Sequence, residues 1–108
     1  MIRDNHYFLL LEKLYNESPE LNITAKDKIV IFSDLHMGDG RSMDDFHRNA
    51  QLFLTALKEY YFENNYILVL NGDVEELHRY QLNRIKKQWT EIYEIFCKFH
   101  NDNRLYKI

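Results

Sequence analysis

Two short apolar runs constrain this chain more than anything else in it. Residues 28–33 (KIVIFS) and 66–70 (YILVL) are rich in branched aliphatic side chains and show no polar alternation. An unbroken run of that kind suits a strand buried on both faces of a parallel sheet. Between them, from Asp44 to about Glu63, Phe46, Ala50, Phe53, Leu54, Leu57 and Tyr61 recur at helical spacing. Ser42 and Asp45 have the spacing of a capping box at the start of that helix, and Asn64-Asn65 offers a stop. After the second run, Glu76 to about His100 predicts one long helix, with Ile85, Trp89, Ile92, Phe96 and Phe99 on a single stripe. Asn101-Asp102-Asn103 breaks it, and residues 104–108 (RLYKI) begin a third strand.

Strand, helix, strand, helix, strand implies a βαβαβ unit of parallel strands with right-handed crossovers. The expected fold class is therefore α/β, within one domain of 108 residues. Residues 28–108 form its core. Residues 1–27 supply an N-terminal helix over 4–17, with Tyr7, Leu10, Leu11, Leu14 and Tyr15 on one stripe, and a connector that Ser18-Pro19 opens.

In open α/β sheets, ligands bind beyond the carboxyl ends of the strands, and both visible ends carry acids. The first gives Asp34-Leu35-His36 and the second Gly72-Asp73, followed by Glu75 and Glu76. Parallel neighbours bring Asp34 and Asp73 side by side, with His36 in reach. Extended geometry continuing past Ser33 points Asp34 and His36 the same way. Carboxylates that close repel unless a cation sits between them. A carboxylate–imidazole set suits Mn²⁺, Fe²⁺ or Zn²⁺, and an oxygen-rich one leans to Mn²⁺ or Mg²⁺. Gly72, one of only three glycines, lets the backbone turn tightly there. Arg41, in the loop after the first strand, is a candidate for facing substrate. Asp44 and Asp45 read as first-turn acids favoured by the helix dipole. His47 and His78 fall on predicted helices as surface or packing residues, and His78 lies close to Asp73 in sequence. Cys97 reads as a buried apolar residue and Trp89, Phe96 and Phe99 as core.

Charge and composition exclude several classes. A net charge of −3 is too acidic for a generic nucleic-acid binder. No apolar run approaches a membrane span, and charges interrupt residues 1–25 where a signal peptide would lie. The single cysteine fits a reducing compartment, so the chain reads as cytoplasmic and soluble.

The run Phe32-Ser33-Asp34-Leu35-His36-Met37-Gly38 resembles the D-x-H signature of calcineurin-like metallophosphoesterases. Asn71-Gly72-Asp73-Val74-Glu75-Glu76 resembles their second signature, G-D-x-x-[DE]. The resemblance covers residues 28–108 and implies the parallel-sheet half of an αββα sandwich that hydrolyses phosphate esters with two divalent metals, Mn foremost. By the resemblance, Asp34 and His36 match ligands of the first metal and Asp73 the bridging carboxylate, while Glu76 supports. The family's later signatures, G-N-H-[DE] and G-H-x-H, do not occur in these 108 residues. They carry the general-acid histidine and the remaining ligands. The resemblance thus implies an N-terminal portion that is inactive alone, acting on a phosphorylated substrate once complemented by a C-terminal half. The competing reading is a non-catalytic binding or regulatory module that pairs with a complementing chain or with itself.

Overall fold

The structure, a computed structural model, describes residues 2–108. Helix α1 spans Ile2–Glu17. Strand β1 follows at Ile29–Phe32, then helix α2 at Ala50–Thr55, strand β2 at Ile67–Leu70, helices α3 at Leu82–Gln88 and α4 at Thr90–Asn101, and strand β3 at Leu105–Lys107. The strands form one parallel sheet in the order β1-β2-β3. The mixed α/β class and the three strands agree with the sequence.

Register explains where the core sits. Val30, Leu68 and Leu105 make one cross-strand row, and Phe32, Leu70 and Lys107 the next. Leu68 and Leu70 are fully buried beneath Phe53, Leu57, Ile92, Phe96 and Phe99 from the helices. Aromatic edges lock this layer, with Phe32 against Phe53 at 5.0 Å and Phe46 against Trp89 at 5.2 Å between ring centroids. The other face alternates in register, so Ile29, Ile31, Ile67, Val69 and Tyr106 point away from the helices. Among the described residues no element covers that face, and Ile31 is 62% exposed. The expectation of strands buried on both faces therefore holds on one face only.

The helices depart from the sequence reading in three places. The second helical segment starts at a 3₁₀ turn, His47–Asn49, not at Asp44, and widens into a π-helical stretch at Ala56–Tyr61. Ser42 caps nothing. Asp44 replaces it, accepting hydrogen bonds from the Gly40 amide (2.8 Å) and the Phe46 amide (2.9 Å). It is 3% exposed, hence a buried clamp on the loop and not a solvated first-turn acid. The long helix from Glu76 to His100 is also replaced. Residues 77–80 turn, leaving His78 outside any helix, and α3 and α4 meet at a break at Trp89. The break lets the Trp89 indole donate to the Gly38 carbonyl at 2.9 Å, which ties α3–α4 to the loop after β1. Thr90 satisfies carbonyls freed there by donating to Lys87 at 2.9 Å. Cys97 is exposed, because Ile92, Ile95, Phe96 and Phe99 take the inward positions of α4. The expected stops hold: Asn65 (φ 62) and Asn103 (φ 58) adopt the left-handed conformation after their helices.

Candidate metal centre

The two parallel strands end side by side, and the chain beyond them stays paired. The Asn71 amide donates to the Phe32 carbonyl (2.8 Å). The His36 amide then donates to Asp73 (2.9 Å), Met37 to Val74 (2.8 Å), and Glu76 back to Met37 (2.9 Å). Met37 and Val74 are buried, so this extension is anchored in the core. It does not continue the extended geometry of β1. Asp34 (φ 56), His36 (φ 50) and Asp73 (φ 50) are all left-handed. The expected Asp-x-His alternation is thus replaced by two left-handed turns that present the side chains. Among the described residues only five non-glycine positions have positive φ, and three of them are here. Asp, Asn and His tolerate that region best, yet each such residue costs on the order of 1 kcal/mol. Strain is therefore concentrated at one spot. Gly72 (φ 69) makes the turn before Asp73, as its position in the sequence suggested.

Asp34, His36 and Asp73 each offer a ligand atom within 4.8 Å of the other two. Metal bonds of about 2.1 Å at the tetrahedral angle set two ligand atoms roughly 3.4 Å apart. The cluster closes onto one ion by rotation of its exposed carboxylates, Asp34 and Asp73. His36 Nε2 lies 3.6 Å from Asp34 Oδ1, while His36 Nδ1 meets Glu76 Oε2 at 2.8 Å. A carboxylate on one ring nitrogen fixes the ring and leaves the other nitrogen for a ligand. Two carboxylates and one oriented imidazole match the donor set of a first-row divalent cation.

Arg41 stays outside this arrangement. Its side chain is exposed and pairs with Asp39 at 3.7 Å, and no hydrogen bond or ion pair among the described residues links it to the cluster. A cavity of about 510 Å³ opens beside Asp34 and His36, walled by Phe32, Phe46, Phe53 and Tyr61.

Sequence reasoning missed a second polar cluster next to the first. Glu75 accepts hydrogen bonds from Tyr93 (2.8 Å) and Lys107 (2.7 Å). Burial opposes ionisation of Glu75, but the bonds from Lys107 and Tyr93 outweigh it and hold the carboxyl below its usual range. Tyr93 moves far above the usual phenol value, chiefly through burial and then through its bond to Glu75. The acids of 73–76 thus divide by direction. Asp73 and Glu76 serve the His36 side, and Glu75 ties the turn to α4 and β3.

Set beside known proteins, the chain matches no family model, no curated protein and no solved structure.

Proposed function

We propose that this chain carries the first metal site of a metal-dependent phosphate-ester hydrolase of the calcineurin-like kind. The supporting observation is the convergence of Asp34, His36 and Asp73, with Glu76 bonded to the far side of the His36 ring. Asp34, His36 Nε2 and Asp73 hold the cation, with Mn²⁺ preferred on its oxygen-rich set and Fe²⁺, Zn²⁺ or Mg²⁺ as alternatives. A bound divalent ion supplies Lewis acidity toward phosphoryl oxygens and lowers the pKa of water.

The chain's own residues do the rest of what this half-site achieves. Glu76 fixes the His36 ring so that Nε2 is offered to the cation. The Met37–Val74 pairing fixes the spacing of the two acid-bearing turns. No residue here is placed as a general acid for a leaving alcohol, since the histidine-bearing signatures the resemblance calls for are absent from these 108 residues. The isolated chain therefore binds metal weakly and turns over phosphate esters negligibly.

Calorimetric titration with Mn²⁺ tests the proposal. Wild-type protein binds about one equivalent, and Asp34→Asn abolishes the heat. Binding that Asp34→Asn leaves untouched, or robust phosphatase turnover by the isolated chain, contradicts it.

A further inference from the structure

The turn that carries Asp73 is held from two sides. On the near side it pairs with the segment after β1 through the His36, Met37 and Glu76 amides. On the far side β3 takes hold of it. Leu70 pairs with Lys107 in register, the Ile108 amide donates to the Leu70 carbonyl (2.9 Å), and the Gly72 amide donates to the Ile108 carbonyl (3.3 Å). Lys107 Nζ then donates to Glu75 Oε1 at 2.7 Å, and the Tyr93 hydroxyl of α4 donates to the same oxygen at 2.8 Å.

The far side matters because of what flanks Glu75. Its side chain is only 7% exposed, and a carboxylate so enclosed needs its cation and donors or it turns out to water. Glu75 lies between Val74, which is buried, and Glu76, which holds the His36 ring at 2.8 Å. With Val74 fixed in the core, a Glu75 side chain that turned outward would twist the backbone that aims Glu76. Asp73, two residues earlier, is left-handed (φ 50), and such a residue persists only where its surroundings over-determine it. The bonds to Glu75 and Gly72 supply constraints that the near-side pairing alone lacks.

We propose that Lys107 and Tyr93 are positioning residues of the candidate metal centre, holding Asp73 and Glu76 against His36 through Glu75. Neither offers the ion a ligand. The proposal rests on the metal reading for its effect on binding, and on the turn alone for its geometry. Charge and position pull in opposite directions here, which makes the role readable. Removing a positive charge from the neighbourhood of a cation site tightens cation binding by charge alone. Losing the aim of Asp73 and Glu76 weakens it. The sign of the change therefore separates a bystander lysine from one that positions the turn.

Lys107→Met, Lys107→Arg and Tyr93→Phe in the full chain test it. The Lys107 side chain is half exposed and Tyr93→Phe removes one oxygen, so circular dichroism stays native. Amide hydrogen exchange in chelator comes first. The His36 and Met37 amides, bonded to Asp73 and Val74, exchange about tenfold faster in Lys107→Met. The Ile67 amide, bonded to Lys28 at the other end of the sheet, keeps its rate. Calorimetric titration with Mn²⁺ follows. Kd rises about tenfold in Lys107→Met and about fivefold in Tyr93→Phe, which loses one hydrogen bond. Lys107→Arg keeps the cation and restores binding. In a Glu75→Gln background Lys107→Met has no further effect, because both act through one carboxylate. Exchange at His36 and Met37 unchanged by Lys107→Met, or Mn²⁺ binding as tight as wild type or tighter, overturns the proposal. A wild type that takes up no Mn²⁺ overturns the metal reading instead, and the exchange rates still decide whether Lys107 holds the turn.

Discussion

Replacing Asp73 with Asn should stabilise the metal-free protein and remove its response to metal. Asp34 and Asp73 hold carboxylate oxygens within 4.8 Å. Two unit charges at that distance repel by about 0.9 kcal/mol in water. The water limit applies because the Asp34 side chain is 75% exposed. Screening at physiological salt trims the term to roughly 0.5 kcal/mol. Asn keeps the size of Asp and its tolerance of left-handed backbone, so little else changes. In chelator, Asp73→Asn should therefore melt about 2–4 °C above wild type. Mn²⁺ at a hundredfold excess over Kd adds about 2.7 kcal/mol to wild type, enough to raise its Tm by about 10 °C or more. The variant gains little, so the order of the two melting points inverts between chelator and metal. Scanning calorimetry reads this directly, with Glu94→Gln on the exposed side of α4 as the control for nonspecific binding to surface acids. A metal-free Tm below wild type, or an Mn²⁺ shift equal to wild type, refutes the reasoning.

Three further outcomes are expected. Glu76→Gln, which weakens the acceptor at His36 Nδ1, should lower Mn²⁺ affinity by about 10–100-fold in calorimetric titration while leaving the fold intact. Asp44→Ala strips two amides of a charged acceptor in a buried loop and should cost about 2–4 kcal/mol in urea unfolding. The Tyr93 phenol is raised in the folded state, so the contribution it makes is present below its unfolded value of 10.0 and is lost as pH rises beyond that. Wild type should accordingly lose stability more steeply above pH 10 than Tyr93→Phe, and parallel slopes in alkaline denaturation would exclude this role.

The strands were legible because their signal is local. An unbroken aliphatic run as short as residues 66–70 has few uses other than a buried strand, and topology places the acids that follow it at the sheet's carboxyl edge. The inward residues of α2 and α4 were legible for the same reason, since periodicity reports which face is buried whether or not the helix is continuous. What escaped was set by contacts distant in sequence. The break at Trp89 answers a carbonyl 51 positions earlier, and no pattern within residues 76–100 announces it. Asp44 looked like a helix-start acid because its partners, Gly40 and Phe46, are backbone amides, which carry no sequence signature. The left-handed turns at Asp34 and His36 were hidden by the D-x-H spacing, which an extended chain satisfies equally well. Glu75 and Glu76 are neighbours of the same type, and only the bridge between Met37 and Glu75 sends one toward Lys107 and the other toward His36.

The left-handed trio also bears on how this protein would change under selection. A lineage propagated for heat resistance alone, with no metal present, would meet Asp34, His36 and Asp73 as defects. Glycine relieves the backbone at each position, and any neutral residue at 34 or 73 relieves the charge. Erosion would begin there and leave Met37 and Val74, one residue away and buried, untouched. Persistence of all three side chains across many generations would then itself be a record that a ligand was present.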